Sequence, residues 1–358
     1  MIDGQRLKQA REIEGLTQSE LATRVKMPQS VISRVEIGNY PVSNGEVIRL
    51  ANELNIPVRF LFRPPVVLPE GSLGLFRSLK TKVKTVEYRA SRRLAEVGIE
   101  ALLRLGEKVQ LPTCRIQAVP DVDPEVAAMH ARSMLRLPPD EPIRNLTLSM
   151  ERAGVLMIRL TGISEHITGF GAWIDPVPSL LAEERPIVVT RRPLSPFRLR
   201  FTIAHELGHL ILRHQVFTGP QQPVEREANL FAQALLMPRD AAMEDLNAAP
   251  LNLERLAELK GKWGVSMHAI AMRAKYLEVL TEANYRSIYE TLRFRGWLRQ
   301  EPGDLSTVSE QPKLLQELID RCGLSESLYD VADRLDLGLK QLRTFLPDEM
   351  EDRPLVGA

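Results

Sequence analysis

His205, Glu206 and His209 are the residues of this chain whose types and spacing most directly imply chemistry. They stand as His-Glu-x-x-His in the run Phe201-Thr202-Ile203-Ala204-His205-Glu206-Leu207-Gly208-His209. Imidazoles at i and i+4 leave the same face of a helix and can close on one Zn²⁺. The intervening Glu206 projects to where a zinc-bound water would sit, placed to take its proton. The flanks predict a buried helix: Ile203, Ala204, Leu207, Leu210 and Ile211 supply apolar contacts, and Pro196 stands where a first helical turn tolerates it.

A catalytic zinc needs a third protein ligand and an open position for water. Residues 224–238, Val-Glu-Arg-Glu-Ala-Asn-Leu-Phe-Ala-Gln-Ala-Leu-Leu-Met-Pro, predict a second amphipathic helix, begun after Pro223 and stopped by Pro238. Glu225, Ala228, Asn229 and Ala232 share one stripe, small enough for close approach to the first helix. Glu225 is then the expected third ligand, and Asn229, one turn on, is placed to orient an imidazole from behind. Glu227 points about 200° away around the helix and is the less favoured alternative. The plain alternative leaves both glutamates solvated and uses only the Phe231/Leu235 face, for packing.

Thr202-Ile-Ala-His-Glu-Leu-Gly-His-Leu-Ile-Leu-Arg-His214, followed by the helix from Glu225 to Pro238, resembles the ImmA/IrrE family of zinc metallopeptidases. Its Glu-x-x-x-Asn spacing is similar to the Glu-x-x-x-Asp helix of thermolysin-like gluzincins. The resemblance spans roughly residues 150–300, continuing through Leu259–Ser266 and Gly296-Trp297. It implies a zincin-like fold, Zn²⁺ held by His205, His209 and Glu225, and Glu206 as general base. Asn229 replaces the aspartate of thermolysin; it still accepts from an imidazole N–H but carries no charge. His214, five residues past His209, falls off the ligand face of the helical wheel and is expected outside the site.

The N-terminal residues 1–63 predict five short helices. Thr17-Gln18-Ser19-Glu20 has the form of a capping box, Gly15 stops the helix before it, and Gln29–Glu36 follows a break at Met27-Pro28. Helices are also expected from Glu46 to Leu54 and from Pro57 to Phe62. Two short helices, a tight turn and a polar-tipped third are the requirements of a helix-turn-helix. The run Gly15-Leu-Thr-Gln-Ser-Glu-Leu with Gln29-Ser-Val-Ile-Ser-Arg-Val-Glu-Ile-Gly-Asn-Tyr resembles the XRE/Cro-like family. That resemblance implies a double-stranded DNA operator as partner. Gln18 and Gln29 would approach backbone and bases, and Ser30, Ser33 and Arg34 would face the groove. Through Phe62 there are eight Lys/Arg against seven Asp/Glu, so phosphate attraction is modest and a homodimer is expected to supply specificity.

The bulk properties of the 358 residues exclude several classes. The length suits two or three domains, and 44% hydrophobic with 26% charged residues fits a soluble protein. A net charge of +1 selects no partner by global field. No signal peptide or membrane-length apolar run is visible, and Cys114 and Cys322 are solitary, so the expected setting is cytoplasmic, with no membrane partner. Arg63–Gly71 is a stiff proline-rich linker. A helix from Phe76 to about Arg104, apolar at Leu79, Val83, Val86, Leu94, Val97 and Leu102, carries nine Lys/Arg against four Asp/Glu over 77–108. It is either a phosphate-contacting or inter-domain helix or a connector whose basic face is solvated. A helix is expected over Pro124–Leu137. Gly154–Leu160, Phe170–Ile174 and Arg185–Thr190 are β-rich, and Gly169–Ile174 is a candidate edge strand for a peptide substrate.

The expected class is thus mainly α with a small β-sheet (α+β). The chain divides into a helix-turn-helix domain over 1–63, linker and helical connector over 64–140, a zinc peptidase domain over 141–300, and a C-terminal helical tail over 301–358. The expected function is a DNA-binding regulator whose zinc domain hydrolyses a specific cytoplasmic protein, a repressor or antitoxin-like partner. The alternative is a non-proteolytic repressor or antitoxin whose zinc domain is a sensor or dimer scaffold.

Overall fold

The computed structural model describes residues 1–68, 85–164, 166–192, 194–214, 221–324, 327–346 and 350. The chain opens with helices α1 (Gly4–Ile13), α2 (Gln18–Val25), α3 (Gln29–Glu36) and α4 (Asn44–Glu53); the expected fifth helix is a 3₁₀ turn, Val58–Phe62. Leu7, Leu21, Ile32, Leu50, Leu54 and Leu61 are fully buried between them. The capping box at Thr17 and Glu20 is formed. A second one, Ser43 with Glu46, starts α4 two residues before the expected Glu46. Gly15 takes φ +69°, which lets the chain leave α1 sharply.

Helix α5 (Thr85–Gly106) follows; the expected helical positions Phe76, Leu79 and Val83 lie outside the described residues. Its outward charges are mostly consumed in packing. The buried Arg6 of α1 places its guanidinium on Glu100 (2.8 and 2.7 Å), Gln9 donates to Glu96 (3.0 Å), and Arg93 donates to Glu12 (2.6 Å). Arg92 and Arg104 pair with Glu96 and Glu100 on the same helix. Between the two readings of this basic stretch, the described arginines 92, 93 and 104 are therefore inter-domain and intrahelical partners, while Arg89 stays exposed. On another side of α5, Gly98 lies against Ile158, where a Cβ would come within 2.9 Å of its Cδ1.

Helices α6 (Pro124–Met134) and α7 (Leu146–Arg152) lead into strands β1 (Leu156–Leu160), β2 (Gly169–Ile174) and β3 (Arg185–Arg191). Helix α7 has no counterpart among the sequence expectations. The sheet order is β1-β3-β2, with β1 parallel and β2 antiparallel to the central β3. Both faces are covered, and side chains alternate between them. Leu156, Ile158, Phe170, Ala172, Ile187 and Val189 join a core shared with α1–α5 and the C-terminal helices. Met157, Trp173 and Val188 join a second core with the helices that follow.

Those helices are α8 (Pro196–Ile211), α9 (Gln221–Leu236), α10 (Arg239–Asn247), α11 (Leu253–Trp263), α12 (Met267–Tyr276) and α13 (Glu282–Phe294). Helix α9 starts before Pro223, which sits in its first turn where the missing N–H has no helical partner. The last described helices are α14 (Leu314–Arg321), α15 (Leu328–Leu335) and α16 (Leu339–Arg343). This C-terminal segment packs back onto the N-terminal one: Asp336, nearly fully buried, pairs with Arg59 (3.1 Å) and Arg63 (2.5 Å), and Lys340 pairs with Glu14 (2.6 Å). Among the described residues no helix is long and apolar enough to cross a membrane, and both cysteines are free.

Candidate metal centre and DNA-reading face

Helices α8 and α9 approach closely because small residues line their contact. Gly208 faces Phe231, and a Cβ on it would sit 2.9 Å from the Phe231 ring; Ala204, Ala228 and Ala232 are fully buried nearby. Helix α8 also lies on β2, where a Cβ at Gly171 would come within 2.9 Å of the Glu206 carbonyl oxygen.

This packing brings His205, His209 and Glu225 together, with ligand atoms within 4.8 Å of one another. His205 Nε2 and His209 Nε2 are 2.9 Å apart, and Glu225 stands 3.4 Å from the first and 3.8 Å from the second. Ligand atoms placed tetrahedrally at about 2.0–2.1 Å from one ion would be separated by roughly 3.3 Å. The three atoms need only small rotations to reach that spacing.

Each imidazole is held from behind. His205 Nδ1 lies 3.1 Å from Asn229 Oδ1, and His209 Nδ1 lies 2.8 Å from His214 Nδ1, whose Nε2 meets Glu227 Oε2 at 3.0 Å. Both Nδ1 atoms are thereby occupied by protein, and both Nε2 atoms face Glu225. Asn229 takes the expected place. His214 corrects the expectation: it lies against His209, not away from the site. The helical wheel failed there because α8 ends at Ile211 and Arg213 adopts φ +57°, turning the chain back under the helix. Glu227, on the face of α9 away from Glu225, is not merely solvated but holds His214. An arginine-histidine pair directly after a strongly apolar helix end was the only sequence signal for this turn.

Glu206 points into the same region. It is buried, its Oε2 has no hydrogen-bond partner among the described residues, and the Gly171 N–H donates to the carboxylate. Burial, reinforced by the charge of Glu225 and opposed by His205 and the Gly171 N–H, pushes its pKa up to about 7. Burial would depress His205, but the Glu225 hydrogen bond, with the Glu206 and Glu225 charges and Asn229, outweighs it and raises the pKa. Burial and the neighbouring His205 and His214 push His209 well down. Two imidazoles, one of them disposed to neutrality, a partly exposed carboxylate and an unsatisfied buried carboxylate oxygen form a donor set that fits a divalent ion with a water beside it.

Strand β2 is an edge strand, as expected. Arg191 N–H donates to Thr168 O, and in an antiparallel pair this alternation turns the backbone N–H and C=O groups of Phe170, Ala172 and Ile174 toward β3 and those of Gly169, Gly171 and Trp173 toward the outer edge beside α8.

At the other end, Gln29, Ser30 and Arg34 are exposed and Gln18 and Ser33 half-buried. Gln29 donates to Gln18 (2.8 Å), and Gln18 donates to Glu36 (2.8 Å), which is clamped by Arg11 (2.6 and 2.9 Å). Arg34 stacks over Tyr40 with its guanidinium 5.2 Å from the ring centroid. The two glutamines thus bridge the start of α2 to the start of α3 and fix the relative pose of the two helices.

A two-helix HExxH and Glu-x-x-x-Asn cluster on a small sheet defines a metallopeptidase-like domain, and the N-terminal helices define a helix-turn-helix. The known families agree. Residues 150–275 match the Peptidase_M78 family, described as the IrrE N-terminal-like domain, and residues 7–61 match a helix-turn-helix family. The chain therefore carries an XRE-type helix-turn-helix domain, which implies DNA binding, followed by an M78 metallopeptidase-like domain. No curated protein matches the chain.

Proposed function

We propose that the chain is an operator-binding regulator whose M78 domain is a zinc-dependent peptidase acting on a specific cytoplasmic regulatory protein, a repressor or antitoxin-like partner. The observation that carries this reading is the convergence of His205, His209 and Glu225 beside a buried Glu206 oxygen with no partner among the described residues. A purely structural site closes its fourth position and has no use for a free carboxylate there.

His205, His209 and Glu225 would hold Zn²⁺, with Asn229 fixing the His205 ring. The ion, when bound, supplies a Lewis acid that polarises the scissile carbonyl and acidifies a water. Glu206, whose buried Oε2 has no hydrogen-bond partner among the described residues, is placed to accept the water's proton and to deliver it to the leaving amine. The outer edge of β2, which lies beside α8, supports an extended peptide across the cluster. Gln18, Gln29, Ser30, Ser33 and Arg34 would read the operator, with the chain acting as a homodimer.

Glu206→Gln separates this reading from that of a repressor with a zinc-bearing sensor. The variant keeps one zinc per chain by metal analysis, loses cleavage of the partner by about 10²–10⁴-fold, and leaves the regulated genes locked. Unchanged gene response in this variant refutes a proteolytic mechanism.

A further inference from the structure

The two site helices also wall a cavity of about 360 Å³. It runs from Asn229, which holds His205, past Thr202, one turn before His205, to α12 and the segment 297–304. Phe197, Phe201, Met272 and Trp297 give it an apolar lining. Its size is at the lower end of the roughly 300–1,000 Å³ of ligand clefts, matching one large side chain.

The charges around it are unequal. Glu301 and Asp304 belong to the lining but are spent internally: Glu301 accepts from the Met267 N–H (2.9 Å) and the Lys260 ammonium (3.0 Å), and Asp304 from Lys260 (2.5 Å). Arg198 and Arg299 also line the cavity and are exposed. Among the described residues neither has an ion-pair partner, so the rim is left positive.

We propose that this cavity is a side-chain subsite of the peptide cleft, taking a large apolar residue (Phe, Leu or Met) with an acidic residue beside it. The proposal rests on the peptidase reading above. Continuity with Asn229 and Thr202 places the subsite next to the cluster, the aromatic lining selects the apolar residue, and the two unpaired guanidiniums select the acidic neighbour.

The zinc-loaded full chain is titrated calorimetrically with three peptidyl hydroxamates that carry Phe-Asp, Ala-Asp or Phe-Lys after the metal-seeking group. Phe-Asp is expected to bind roughly ten-fold or more tightly than Ala-Asp. Met272→Trp, which fills the cavity, brings that ratio near one. Trp297→Ala, a milder change, weakens Phe-Asp and leaves Ala-Asp unaltered. Arg198→Glu combined with Arg299→Glu inverts the preference for Asp over Lys. Equal binding of Phe-Asp and Ala-Asp to the unmodified chain overturns the subsite and leaves the metal centre standing. Failure of all three to bind the zinc-loaded chain overturns the metal-centre reading itself.

Discussion

Replacing His214 by Ala isolates the support behind His209. In the proposed zinc-bound state His209 would coordinate through Nε2, so its proton would sit on Nδ1 and be donated to His214 Nδ1 at 2.8 Å; His214 would then donate from Nε2 to Glu227 at 3.0 Å. His209 is only 2% exposed, so no bulk water replaces the lost acceptor. A buried donor stranded in this way costs about 1–3 kcal/mol. At about 1.4 kcal/mol per decade, that is roughly 5–150-fold in zinc affinity, the range over which outer partners of metal ligands act. The metal-free chain escapes part of the penalty by switching tautomer, so the loss is expected in affinity more than in folding. Competition against a chromophoric chelator measures it, with circular dichroism confirming an intact fold. Glu227→Gln keeps an acceptor for His214 and is expected to weaken zinc by less than about ten-fold. Wild-type zinc affinity in a folded His214→Ala variant refutes the reasoning.

Three further outcomes are expected. Arg34→Ala with Ser33→Ala weakens operator binding about ten-fold or more in gel shifts, and unchanged affinity removes α3 as the reading helix. Gly171→Val should lower thermal stability by about 1–3 kcal/mol through overpacking against Glu206 O, although valine favours strands; a higher melting temperature contradicts the close fit of β2 on α8. Burial raises Glu151 to about 7, against the Lys313 and Leu314 N–H groups that its carboxylate accepts at 2.8 and 3.0 Å. A raised carboxyl pKa contributes stability that is complete below the unfolded value near 4.5 and is lost as pH rises through 7. That window is worth about 3 kcal/mol, and Glu151→Gln removes this part of the pH dependence of denaturant midpoints; equal slopes for both chains contradict it.

The metal cluster was legible because its members sit at helical spacings: i and i+4 for the imidazoles, i and i+4 for Glu225 and Asn229. Periodicity carries such sites directly into space. It stops where a helix stops, which is why His214 was misplaced. Local signals also marked the capping box at Thr17 and the three strands. The order β1-β3-β2 was not legible, since strand pairing joins residues distant in sequence. Nor was the role of the tail: Asp336 reads as an ordinary turn residue, and only the fold brings Arg59 and Arg63 to it. The charges of α5 left two readings open, because a count of Lys and Arg does not show which of them meet Glu12, Glu96 and Glu100.

Helix α5 acts as a splice rather than a tether. One flank is bolted to α1 through Arg6–Glu100, Gln9–Glu96 and Arg93–Glu12, while Gly98 seats the other on the sheet against which α8 packs. Severing the chain between α4 and α5 would strand Glu96 and Glu100 in an oily interior, so the part from α5 onward is not expected to survive as a clean fragment. A helix-turn-helix domain joined to the M78 domain through buried ion pairs would, on gripping a duplex, aim that domain in one direction along it.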